Sequence, residues 1–107
     1  MTDVTTEEAK VIIAKHKNDS NFVILDVRSP EEFKKIGHLE KAINIDIESP
    51  NFQERIAELD TNKTYLVYCR SGGRSKAAQE LMCQLGFKEV INVKGYLFGN
   101  YDRNSLK

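Results

Sequence analysis

The segment Tyr65 to Ala78, YLVYCRSGGRSKAA, gathers a cysteine, two glycines and two arginines within the six residues from Cys69 to Arg74. A free thiol has a pKa of about 8.5, and nearby arginines, backbone amides and a helix N-terminus all favour the thiolate, which is the nucleophilic form. Gly72 and Gly73 lack the side chains that stop a backbone from curling, so successive amide hydrogens can point into one concavity. A helix beginning near Arg74 would add partial positive charge at the same place. From Thr61 to Gln79 the chain carries Lys63, Arg70, Arg74 and Lys76 and no acid. The expectation is a local cationic bowl around a nucleophile, with no general base, metal or cofactor required. Taken singly, each residue has an ordinary structural explanation, since cysteines are often buried and arginines in a first helical turn usually face solvent. Their coincidence directly after a buried strand is what points to a site.

Short apolar runs that alternate with helical spacing must position this loop. Thr5 to Glu8 fits a capping box, and Ala9, Ile12 and Ile13 follow at helical spacing to about His16. Phe22 to Val27, FVILDV, is the near-continuous, β-branched run of a strand buried on both faces. Ser29, Pro30, Glu31 and Glu32 form a second capping box with proline at the first helical position, for a short helix ending near Gly37. Ile43 to Ile47 reads as a strand, and Phe52, Ile56 and Leu59 share one face of a short helix within residues 50 to 59. Tyr65 to Cys69 is a second buried strand. Ala77, Ala78, Leu81, Met82 and Leu85 form a helical stripe ended by Gly86, and Val90 to Val93 is a further strand. Strands separated by helices predict an α/β fold with a central, mostly parallel sheet flanked by helices on both faces. Cys69 then falls at the carboxyl end of a strand, where open α/β sheets bind ligands.

With 107 residues, 40% hydrophobic and 30% charged, the chain reads as one compact domain over residues 1–107. Sixteen basic and sixteen acidic residues cancel, so no general basic footprint for nucleic acid or anionic membrane is present. No apolar run approaches the ~20 residues of a membrane span, and the N-terminus MTDVTTEEAK has no signal-peptide pattern. Cys69 and Cys83 are too few for a disulfide scaffold and fit no zinc spacing with the two histidines. A cytoplasmic location is the expectation. Cys83 lies nine residues into the helix counted from Arg74, ~13 Å along its axis at 1.5 Å per residue. A disulfide to Cys69 is therefore not expected, and Cys83 reads as a surface thiol.

The run Cys69 to Ser75, CRSGGRS, together with Val23 to Arg28, with Gly37, His38 and Leu39, and with Ala42 to Ile45, resembles the single-domain rhodaneses over nearly the whole chain. Two segments depart from that pattern: Leu39-Glu40-Lys41-Ala42 stands where Ile-Pro-Gly-Ala is usual, and Gly95 to Asn100, GYLFGN, replaces a Gly-Gly segment followed by an aliphatic pair and Trp. The resemblance implies a rhodanese-like α/β fold and a sulfurtransferase. Cys69 would carry sulfane sulfur as a persulfide. Arg70, Ser71, Gly72, Gly73, Arg74 and Ser75 would bind a small anionic sulfur donor such as thiosulfate. The acceptor would be a thiol, cyanide or a protein, and Gly95 to Asn100 would bear on substrate preference.

Two other classes fit less well. Cysteine phosphatases and arsenate reductases place five residues between cysteine and arginine, whereas four separate Cys69 from Arg74; the shorter loop makes a smaller bowl. A noncatalytic binding module would commonly lose the cysteine or the loop charge, and both are kept; a sulfur relay whose partner is a protein stays open as the alternative. Asp26 and Arg28 are expected to support the site as an ion-paired or hydrogen-bonded framework at a strand end. His38 suits a structural hydrogen bond, and His16 suits the negative end of the first helix.

Overall fold

A computed structural model describes residues 1–95. Five strands form one sheet: β1 (Thr2–Val4), β2 (Phe22–Asp26), β3 (Ile43–Asn44), β4 (Thr64–Tyr68) and β5 (Glu89–Val93), in the order β1-β5-β4-β2-β3. Every pairing is parallel. Helices α1 (Thr6–Lys15), α2 (Phe52–Ala57) and α3 (Gly73–Gln84) and a π-helical turn, Glu32–Ile36, fill the connections.

Alternation along the central strands divides the core in two. Leu25, Tyr65, Val67, Cys69 and Val90 face Phe52 and Ile56 of α2 and Ala78 and Met82 of α3. Ile24, Leu66, Tyr68, Ile91 and Val93 face Ala9, Ile12 and Ile13 of α1. Helices therefore cover both faces of an α/β sheet, as the element pattern requires.

Both capping boxes form. The Thr5 hydroxyl accepts from the Glu8 amide at 3.1 Å while the Glu8 carboxylate accepts from the Thr5 amide at 2.8 Å. Ser29 and Glu32 make the same reciprocal pair at 3.2 and 3.1 Å, but the turn they start winds as a π-helix and stops at Gly37, whose φ of 110° suits glycine.

Four expectations change in detail. β1 is an additional strand, three residues long and paired with β5. β3 is regular only over Ile43–Asn44, although the Ile45 and Ile47 amides still bond to the carbonyls of Asp26 and Val27. On α3, Ala77 faces solvent, and Ser75 and Gln79 are buried beside Ala78 and Met82. That exchange is possible because both polar side chains find partners inside: Gln79 donates to the carbonyls of Thr2 and Val90, each at 2.9 Å. Finally, β4 ends at Tyr68, which leaves Cys69 as the first residue of the loop.

Candidate active site

Cys69 leaves the carboxyl end of the sheet's middle strand and remains buried, 1% exposed. The loop folds back over its sulfur. The Gly72 amide donates to Sγ at 3.1 Å and the Ser75 amide at 3.3 Å, while Ser75 Oγ lies 3.4 Å from Sγ. Burial pushes the thiol pKa up. The Ser75 hydroxyl and the amides of Ser75, Gly72 and Ser71 outweigh that effect and hold it below its ordinary value. The arrangement is a nest of donors aimed at the sulfur, which favours its anionic form.

Gly72 makes the nest possible. Its φ is 103°, and a Cβ there would stand 3.1 Å from both Gly95 N and Lys94 Cα. Only glycine takes this turn and this close approach without strain. Gly73 has no such constraint: it opens α3, and a Cβ there would meet nothing within 4 Å.

The cationic bowl is smaller than its local sequence suggests, because acids arrive from other elements. Arg74 Nη1 and Nη2 donate to the two carboxylate oxygens of Glu32 at 2.8 and 3.0 Å. Glu32 is pulled down to about 2, first by that pair and also by its bonds from Ser29, against the opposing effect of burial. Lys76 Nζ pairs with Asp3 at 3.1 Å. Lys63 precedes β4, at the end of the strand opposite Cys69. Arg70 is exposed at the loop and makes no ion pair among the described residues. Arg74 thus holds the π-helical turn against the loop, and Arg70 is the loop cation left unpaired among the described residues. Ser71 is exposed beside it.

Behind the site, Asp26 and Arg28 form a buried ion pair at 2.7 Å, 0% and 1% exposed. Arg28 also donates to the Gly37 carbonyl at 2.6 Å and lies over the Tyr68 ring at 5.5 Å. Asn44 Nδ2 donates to the carbonyls of Asp26 and Arg28, and the Tyr68 hydroxyl accepts from the Leu39 amide at 3.0 Å. Burial, with the Asp26 charge beside it, raises the Tyr68 pKa, so the phenol stays protonated. This scaffold fixes the turn that carries Glu32. His38 bonds the Phe33 carbonyl through Nδ1 at 2.9 Å and stacks on the Phe33 ring, and His16 bonds Ile12 O in the last turn of α1.

Three contacts in this arrangement have no local motif that announces them: Glu32, a capping-box residue, with Arg74; Asp3 with Lys76; and Asn92 of β5, which lies 2.5 Å from Ser75 Oγ. The one signal in the sequence is Asn92 itself, a polar residue in the apolar run VINV. Both cysteines are free thiols, Cys83 exposed and Cys69 buried. No group of three or more metal-ligating side chains occurs among the described residues. No helix among them is long and apolar enough to cross a membrane. A groove of about 610 Å³ lies away from the Cys69 loop, between the end of α1 and β2, lined by Ile13, Phe22, Ile24, Leu39 and Ile43 among others. Residues 96–100 of the Gly95 to Asn100 segment lie outside the described residues.

Known proteins share this architecture. A mitochondrial putative thiosulfate sulfurtransferase of Schizosaccharomyces pombe is 33% identical over an alignment covering 72% of this chain and 61% of that protein. The chain therefore spans less than two thirds of that relative. The thiosulfate sulfurtransferase PspE of Escherichia coli is 38% identical, covering 66% of this chain and 67% of that protein. The crystal structure of a rhodanese-like domain protein from Staphylococcus aureus superposes with a TM-score of 0.73 at 26% identity, over 92% of this chain and 90% of that one. The profile of the Rhodanese-like domain matches residues 7–99. With a match that runs from the first turn of α1 past the end of β5, the chain belongs to the rhodanese-like domain family.

Proposed function

We propose that the protein is a sulfurtransferase that moves sulfane sulfur from a small anionic donor such as thiosulfate to a thiophilic acceptor through a persulfide on Cys69. The observation that carries this reading is the Cys69 sulfur held in a nest of amide donors at the carboxyl end of the central strand, by Gly72 N at 3.1 Å and Ser75 N at 3.3 Å. Such a nest favours the thiolate, and it supplies donors to the negative charge that reaches the outer sulfur once the persulfide forms.

In the first half reaction the Cys69 thiolate attacks the outer sulfur of thiosulfate. A new S–S bond forms, the old S–S bond breaks, and its electron pair leaves with sulfite. In the second, cyanide or a thiolate, of a small molecule or of a protein, attacks the outer persulfide sulfur and the Cys69 thiolate departs. Protons balance without a general base, because attacking and leaving groups are anions at each step. Arg70 draws the donor anion to the loop, and the amides of Ser71, Gly72, Gly73 and Ser75 line its path. Arg74 acts through its grip on Glu32, keeping the loop in the shape that aims those amides. Asp26 and Arg28 hold the scaffold behind that turn.

Phosphatase chemistry is disfavoured by the same geometry. Four residues separate Cys69 from Arg74, one fewer than the cysteine phosphatases place there, and the Arg74 fork is occupied by the Glu32 carboxylate rather than open to a phosphate. Sulfite release from thiosulfate and cyanide, measured beside hydrolysis of p-nitrophenyl phosphate, tests the reading. Sulfite should form with wild type and not with Cys69→Ser, and the phosphate ester should survive both. Hydrolysis of the ester with no sulfite release would replace this function with the phosphatase one.

A further inference from the structure

Asn92 is an amide in the middle of an apolar strand. It lies in β5 between Ile91 and Val93, is 2% exposed, and pairs in register with Val67 two residues before Cys69. A buried amide is costly unless its donors and acceptor are used. Asn92 Oδ1 lies 2.5 Å from Ser75 Oγ, and Nδ2 makes a long contact of 3.5 Å to Asp3 Oδ1. Ser75 is itself fully buried, and its Oγ lies 3.4 Å from Cys69 Sγ and 3.2 Å from Gly72 O.

The Ser75 hydroxyl has one hydrogen and several acceptors. When Cys69 is a thiol, S–H donates to Ser75 Oγ, and Ser75 passes its own hydrogen to Asn92 Oδ1. When Cys69 is a thiolate, Sγ has no hydrogen to give, and the Ser75 hydrogen, by turning to the sulfur, adds a third donor to the amides of Gly72 and Ser75. Asn92 Oδ1 would then face Ser75 Oγ at 2.5 Å with no hydrogen between two oxygens. Turning the amide over by a half rotation of its side chain removes the conflict, because Nδ2 then donates to Ser75 Oγ while Ser75 donates to Sγ. An asparagine can serve both states; an aspartate or a leucine cannot.

We propose that Asn92 is a positioning residue that sets the direction of the Ser75 hydroxyl, and through it the readiness of Cys69 to ionise. The proposal rests on Cys69 being the sulfur-carrying nucleophile, and it names the part of the site that tunes it. The charged groups around this chain of hydrogen bonds are Arg74 and Lys76 from α3, Asp3 from β1, Lys94 after β5 and Glu32 from the π-helical turn. Lys76, paired with Asp3 at 3.1 Å, offsets the carboxylate that Oδ1 approaches when the amide turns over.

The test is the pH profile of Cys69 alkylation by iodoacetamide in full-length chain carrying Cys83→Ser, which reports the thiolate without requiring turnover. Asn92→Leu removes the amide without adding charge and should move the midpoint to higher pH, with alkylation several-fold slower at pH 7. Asn92→Asp keeps the shape but pins the Ser75 hydrogen to a carboxylate, and should slow alkylation at least tenfold. In a Ser75→Ala background Asn92→Leu should change nothing further. A wild-type profile for Asn92→Leu would overturn the proposal, as would an equal shift with and without Ser75. If Asn92→Asp does not fold, the leucine pair of variants still decides. Sulfite assays on the same proteins separate the two claims: a shifted alkylation profile in a protein that never transfers sulfur would refute the proposed function and leave the hydrogen-bond relay standing.

Discussion

Replacing Glu32 by glutamine takes one charge from the contact that ties the π-helical turn to the cysteine loop. The pair is bidentate, at 2.8 and 3.0 Å, with the Arg74 and Glu32 side chains 31% and 20% exposed. The fall of the Glu32 pKa from 4.5 to about 2 corresponds to about 3–4 kcal/mol at ~1.4 kcal/mol per pH unit. Bonds from Ser29 share in that figure and solvent screens a partly exposed pair, which leaves about 1–2 kcal/mol for Arg74. Glutamine keeps the capping box, since its side-chain oxygen still accepts from the Ser29 amide. Glu32→Gln should therefore lower Tm by roughly 5 to 15 °C in a domain of this size. The sign of the pH dependence follows from the depressed folded pKa: the stabilisation is fully present above about 4.5 and is lost as pH falls toward 2. Wild type should lose its advantage over the variant in that window, followed by thermal unfolding at several pH values. Steady-state kinetics give the sharper result. If Arg74 braces the loop, Glu32→Gln lowers kcat/KM for thiosulfate; if Arg74 is instead a donor-binding group restrained by Glu32, releasing it lowers KM and raises kcat/KM. The second outcome would refute the bracing role, as would strict additivity of Glu32→Gln and Arg74→Met in a double-mutant cycle.

Gly72→Ala places a methyl 3.1 Å from Gly95 N and Lys94 Cα at a φ of 103°, and should cost roughly 1–3 kcal/mol in denaturant unfolding while slowing Cys69 alkylation at neutral pH. Asp26→Asn removes the carboxylate that faces the buried Arg28 guanidinium at 2.7 Å and should cost on the order of 3–5 kcal/mol in the same unfolding. Arg70→Ala should raise KM for thiosulfate with little effect on Tm, because Arg70 is exposed and unpaired among the described residues, and rising salt should raise the wild-type KM in the same direction. A wild-type KM for Arg70→Ala would remove that residue from donor capture.

Features set by neighbours in the chain can be read from the sequence, and features set by distant residues cannot. The capping boxes at Thr5 and Ser29 are contacts within a few residues and the buried runs FVILDV and YLVYC show in their own composition, whereas the glycine at position 72 is required in part by its approach to Lys94 and Gly95. β1 gives no such signal because three residues show no period, and it is a strand only through its pairing with β5. The short extent of β3 reflects edge position, with pairing to β2 alone. At the site, Cys69 and its loop amides are legible because the nest is local. The charge is not, because Glu32 reaches Arg74 across 42 positions and Asp3 reaches Lys76 across 73. No short window along the chain contains those pairs, so a segment without acids looks more cationic than the folded loop is.

The central claim is that sulfur resides on Cys69 between half reactions. Intact-mass measurement after incubation with thiosulfate and no acceptor tests it most directly. Wild type and Cys83→Ser should each gain the mass of one sulfur atom and lose it on addition of cyanide or a thiol, and Cys69→Ser should gain nothing while keeping its fold, serine being close in shape and protonated at neutral pH. Sulfur mapped to Cys83, or sulfite release by a Cys69→Ser protein that carries no added mass, would contradict the mechanism.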